Sequence, residues 1–136
     1  MIKRGFIYGL IGLFFEVLWT GICSFLSGDY TFYSHTALIM LPVYGSAVFL
    51  EPIFLSLINN GVPVVIRGAY YATLIFACEY FSGKALSLFD LCPWEYTGIY
   101  NIEGVIRLDY APLWFTAGLI YERVFVTFFK ERAFVQ

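Results

Sequence analysis

The sequence predicts an all-α integral membrane protein: a four-transmembrane-helix bundle with a long folded outer loop, re-entrant or interfacial, between helices 3 and 4. Three observations carry the prediction. Of the 136 residues, 60% are hydrophobic and 13% charged, against about 45–50% and about 25% in soluble domains. Four segments reach the ~20 mostly apolar residues that a helix needs to cross a bilayer. Each of those segments carries a single glutamate, at Glu16, Glu51, Glu79 and Glu122.

The first span is expected at about 5–27. The chain opens MIKRGFIYGLIGLFF, a basic start and an apolar run, as a secretory signal does. The run is too long for one and no small-x-small cleavage site follows, so it reads as a retained helix. Gly5, Gly9, Gly12, Glu16, Thr20 and Ser24 recur at steps of three or four and share one face. Small residues there admit a second helix at close range, and the Gly5–Gly9 pair reads as packing. After the short polar loop 28–35, the second span is expected at about 36–58. NNGVP (59–63) supplies a tight turn, with Pro63 at a helix start. The third span is expected at about 63–88 and the fourth at about 110–129, all within one membrane domain over 1–136.

Loop 89–109 mixes Asp90, Glu95, Glu103, Arg107 and Asp109 with Trp94, Tyr96, Tyr100 and three isoleucines. That mixture suits a folded segment at the membrane interface better than a linker. Lys3, Arg4, Arg67, Arg123, Lys130 and Arg132 fall on one side of the bundle, and only Lys84 and Arg107 on the other. The positive-inside rule therefore predicts a multi-pass protein of the cell membrane with both termini cytoplasmic.

Counting residues along each span divides the acids by depth. Glu51 and Glu122 fall in the inner third near Arg67 and Arg123, and these four are candidates for structural ion pairs. Glu16 and Glu79 lie further out, with only Lys84 as a basic neighbour. An ionisable residue at membrane depth is expensive and points to a binding group or a proton site. The alternative is an interhelical anchor. The candidate substrate- or proton-binding set is Glu16, Glu79, Trp94, Glu95, Tyr96, Asn101, Asp109 and Trp114.

Several chemistries lack their motifs. Three cysteines without C-x-x-C spacing and one histidine, His35, give no zinc set. Ser82-Gly83-Lys84 ends like a phosphate loop, but Cys78 stands where its first glycine belongs. The basic residues form no cluster and net charge is −2, which argues against nucleic acid. No cofactor and no metal is expected.

The chain resembles the ABC-transporter type IV (CmpB-like) membrane proteins of bacteria and the vertebrate transmembrane protein 229 group. The resemblance rests on GLFFEV with Glu16, PVYG (42–45), LEP with Glu51, CEYFSGKALSLFDLCPWEY (78–96), NIEGVIRLDYAPLW (101–114) and Glu122. It runs through most of the chain and is most specific from Glu79 to Trp114. Two departures stand out. Glu95 occupies the centre of the Trp-acid-Tyr triplet, where relatives often carry Asp. Gly104-Val105-Ile106 stands where the bacterial pattern often has Gly-Arg-Ile. The resemblance implies a polytopic membrane protein, with any ATPase on a separate subunit.

Three functions are compatible with these residues. The first is a permease-like transport protein or transporter subunit using intramembrane carboxylates, as a homo-oligomer in the lipid bilayer. The second is a membrane enzyme acting on a lipid headgroup, with Glu79, Glu95, Asp109 and Asn101 offering oxygen ligands to a divalent cation. The third is an accessory or assembly subunit.

Overall fold

A computed structural model describes residues 1–130. Arg132, one of the basic residues used above to orient the chain, lies outside the described residues. The chain is mostly helical. Helix α1 spans Ile2–Leu26, α2 Met40–Gly45, α3 Glu51–Asn59, α4 Val64–Ser87 and α5 Ala111–Phe128. A 3₁₀ turn, Ser46–Leu50, joins α2 to α3. Strands β1 (Asn101–Ile102) and β2 (Ile106–Arg107) pair antiparallel between α4 and α5. Three helical stretches are long and apolar enough to cross a membrane: Ile2–Leu26, Met40–Asn59 and Val64–Ser87. With 18 residues, α5 is about 27 Å long, short of the ~30 Å hydrocarbon core, and it carries Glu122 and Arg123 side by side.

The second helical stretch starts later than expected and is not uniform. Residues 36–39 are not helical, and the 3₁₀ turn interrupts the run at Ser46–Leu50. Pro52 explains the interruption. It has no N–H to give the Val48 carbonyl, and its ring crowds that carbonyl, so the chain tightens locally.

Several helix ends are closed by the backbone, which satisfies carbonyls that the helix leaves free. After α1, Gly28 (φ +96°) donates to the Phe25 carbonyl at 3.0 Å and Asp29 N–H to the Ser24 carbonyl at 3.1 Å. After α3, Gly61 donates to Ile58 at 3.0 Å and Val62 to Leu57 at 3.1 Å. Both are Schellman closures. After α4 the same pattern uses Asp90 at φ 54°, with Leu91 N–H on the Leu86 carbonyl at 3.0 Å.

The chain divides into two compact units, one ending at Leu50 and one beginning at Glu51. In the first, α1 packs on α2 through the predicted glycine face. A Cβ on Gly9 would lie 2.6 Å from the Leu41 carbonyl oxygen, and one on Gly45 would lie 2.8 Å from that of Gly5. Beyond the glycines, Thr20 exchanges hydrogen bonds with the His35 backbone at 3.1 and 3.2 Å. In the second unit α4 packs on α5. Phe54, Tyr71 and Phe125 are fully buried there. Their rings meet with centroids 5.0 Å apart for Phe54–Tyr71 and 6.0 Å for Phe54–Phe125.

Candidate functional site

Glu79 sits in the C-terminal half of α4, half-buried. Its Oε1 accepts the Tyr96 hydroxyl at 2.8 Å, and its Oε2 accepts the Trp114 indole N–H at 3.1 Å. Tyr96 comes from the long loop and Trp114 from the first turn of α5, so one carboxylate joins three pieces of chain. Among the described residues no cation pairs with it. Around it stand aromatic rings in edge-to-face contact. Tyr96 and Tyr110 have centroids 5.6 Å apart, and Tyr110 and Trp114 6.3 Å. The Arg107 guanidinium lies 5.1 Å from the Tyr110 ring centre. It is held there by Asp109, whose oxygens it reaches at 2.8, 3.1 and 2.8 Å. Arg107 holds the Asp109 carboxyl below its ordinary range.

The loop is folded against α4 by a second set of contacts. Gly83, one turn after Glu79, leaves a notch in the helix surface. A Cβ there would lie 3.0 Å from Val105 and 3.3 Å from the Trp94 ring. Trp94 Nε1 donates to the Val105 carbonyl at 3.0 Å, and Tyr96 N–H to the Gly104 carbonyl at 2.8 Å. The hairpin turn places both Glu103 (φ 53°) and Gly104 (φ 74°) in the left-handed region. This is the sign pattern of a type I′ turn. Glycine adopts it freely, whereas glutamate does so against steric preference. The Asn101 side chain supports the turn by accepting the Gly104 N–H at 3.1 Å.

Glu103 reaches back to α4. Its Oε2 lies 2.6 Å from Lys84 Nζ and accepts the Tyr80 hydroxyl at 2.9 Å. Lys84 first, and then Tyr80, hold this carboxyl below its ordinary range.

Of the residues singled out from sequence, Trp94, Tyr96 and Trp114 gather at the Glu79 end of α4. Lys84, the basic neighbour available to Glu79, pairs with Glu103 instead. Glu95 is exposed between the half-buried Trp94 and Tyr96, as alternation along an extended segment requires. Asn101 is used by the turn and Asp109 by Arg107, so these oxygens do not converge with Glu79. Among the described residues no group of three or more His, Cys, Asp or Glu is placed to hold a metal ion. Glu16, in the first unit, accepts the Thr36 hydroxyl at 2.6 Å.

Glu122 has firmer partners than Glu79. Arg67 donates to Glu122 through two nitrogens, at 2.8 and 3.0 Å, and to the Val62 carbonyl at 2.6 Å. The buried Tyr71 hydroxyl also donates to Glu122. Glu51 is buried and Arg123 exposed. An open groove of about 510 Å³ runs between α4 and α5, lined by Ala69, Ala72, Phe76, Pro112 and Phe115 among others, with no charged side chain.

Tyr80, Gly83, Glu103, Val105 and Tyr110 complete the site and were not among the sequence candidates. Gly83 carried a signal, since it lies one turn from Glu79 on the same face. No family model matches the chain. No solved structure matches it.

Proposed function

We propose that the chain is a small multi-pass protein of the cell membrane that works as a permease-like transport protein, with Glu79 as its proton- or substrate-binding carboxylate. In this reading α1, the stretch Met40–Asn59, α4 and α5 form a four-helix bundle with cytoplasmic termini. The 89–109 loop covers Glu79 at the outer side. Homo-oligomers supply a pathway that four helices alone leave cramped, and any ATPase is a separate chain. The resemblance to the CmpB-like and transmembrane protein 229 groups implies a polytopic membrane protein and brings no activity with it.

One observation carries this reading: among the described residues Glu79 is held by two neutral donors and no counter-charge. A phenol and an indole can let go of a carboxylate without leaving a charge behind. A guanidinium partner, such as the one on Glu122, cannot. An acid at membrane depth held so loosely is suited to exchanging its partners for a proton or a cationic group. The test is flux in proteoliposomes under a pH gradient, comparing native protein with Glu79→Gln. Loss of flux in a variant that still elutes as a folded species supports the proposal; unchanged flux sinks it.

A second reading is favoured by the same two bonds, because both oxygens are already used. In it Glu79 is an anchor for the loop in an accessory subunit. Collapse of Glu79→Gln in mild detergent, with no flux in native protein, is its signature.

A further inference from the structure

We propose that the segment from Leu91 to Arg107 is a releasable strap over Glu79, and that Glu103 is the latch that fastens it to α4. Beyond its root, where the Leu91 N–H meets the Leu86 carbonyl, the strap is fastened to α4 at two places with different chemistry. At the first, Val105 and the Trp94 ring fill the notch at Gly83, and Tyr96 caps Glu79. This contact is apolar at Gly83 and a hydrogen bond from an uncharged donor at Glu79, with no ion pair. At the second, Glu103 binds Lys84 and Tyr80. This contact is ionic and half-open to solvent, with 46% of the Lys84 side chain and 52% of the Glu103 side chain exposed. An exposed ion pair is weak and easily screened. It is therefore the part of the attachment that solution conditions can undo.

Backbone geometry marks the same residue. Glu103 occupies a left-handed position in the turn, φ 53°, beside a glycine that accepts this conformation freely. A strained non-glycine residue persists where its surroundings hold it. Here the restraints that involve its side chain are the two bonds to α4. Breaking them removes one of the two attachments, so the turn relaxes away from α4 and Val105, Trp94 and Tyr96 leave Gly83 and Glu79 more often. The groups facing the Glu103 carboxylate from α4 are Lys84 and Tyr80. Within the strap and its exit the nearest charged pair, Arg107 and Asp109, is satisfied internally.

The chain carries its own reporter. Cys92 is half-buried inside the strap, its thiol on the Trp94 carbonyl at 3.2 Å. With Cys23 and Cys78 replaced by Ala, maleimide modification of Cys92 reads strap opening in nanodiscs. Lys84→Gln is expected to raise the rate roughly two- to fivefold, the range open to an exposed pair. About 1 M salt, where the screening length falls to about 3 Å, should raise it in the native pair and not in Lys84→Gln. The exchange Lys84→Glu with Glu103→Lys should restore the slow rate. Equal rates in all of these would overturn the latch. Should Lys84→Gln not fold, Tyr80→Phe removes one hydroxyl from the same contact and is read the same way. The inference rests on Glu79 as the binding group only for what the strap covers. Thiol reactivity is independent of flux, so a failed flux experiment leaves the latch standing and a failed labelling experiment leaves the transport reading standing.

Discussion

The Trp114 indole N–H reaches Glu79 Oε2 at 3.1 Å across 35 positions of sequence. It brings the start of α5 onto the C-terminal half of α4. Removing the indole N–H strips one donor from a half-buried acceptor, which costs about 1–3 kcal/mol, and the smaller ring of Phe adds a packing loss. Trp114→Phe and Tyr96→Phe are each expected to lower the thermal midpoint in detergent. The pair together should cost less once Glu79→Leu removes the acceptor. Full additivity in that background would mean the carboxylate is not their common partner.

Arg67 and Glu122 present a different balance. Their side chains are only 15% and 10% exposed, and Tyr71 adds a third group to the carboxylate. Arg67→Ala leaves Glu122 uncompensated and should cost about 3–5 kcal/mol, whereas Arg67→Met with Glu122→Leu should recover most of it. Denaturant unfolding of the three proteins in the same detergent checks the order. A single variant as stable as native protein would remove the pair from the architecture.

The glycine face of α1 leaves no room for a methyl group at Gly9, because the Leu41 carbonyl, which cannot swing aside, stands in the way together with the Leu41 side chain. Gly9→Ala should loosen α1 from α2 at a cost of about 1–3 kcal/mol, despite alanine's better helix propensity. Gly28→Ala has open space around it but sits at φ +96°, so it is destabilising for a conformational reason instead. Circular dichroism melts of both separate the two causes: only Gly9→Ala should weaken a crosslink engineered between α1 and α2.

Acid should undo the Glu103 latch. Its folded carboxyl is held below the ordinary value of 4.5, so its contribution is fully present above that value. The contribution is lost as pH falls through the lowered folded value. Cys92 reactivity, corrected with a free-thiol standard, should therefore rise on acidification below about pH 4.5 in native protein. In Glu103→Gln it should be pH-independent over the same range. A native profile as flat as that of Glu103→Gln would rule the carboxylate out as the titrating group.

Much of the helical layout was legible because hydropathy reports burial in lipid directly. The ends of α1, α4 and α5 fall within a few residues of the apolar runs. The break at Ser46–Leu50 was not anticipated, although Pro52 was its visible cause, since apolar composition runs across it without change. The hairpin was hidden for another reason. Glu103-Gly104 is a weak turn signal beside Asn-Gly or Asp-Gly, and its hold comes from Lys84 and Tyr80, residues far back on another element. Partner choice for the acids was equally out of reach. Glu79 finds donors 17 and 35 positions away, and sequence depth alone could not separate Lys84 bound to Glu79 from Lys84 bound to Glu103.

Glu79 and Tyr80 are consecutive on α4, so their side chains leave the helix about 100° apart. The strap is thereby pinned on two flanks of one cylinder. It can neither slide along α4 nor roll around it while either attachment holds. While one pin holds, the other is kept at high effective concentration and re-forms quickly. Release of such a cover is a threshold event rather than a graded one, and its sharpness is set by the spacing of two neighbouring residues on a helix.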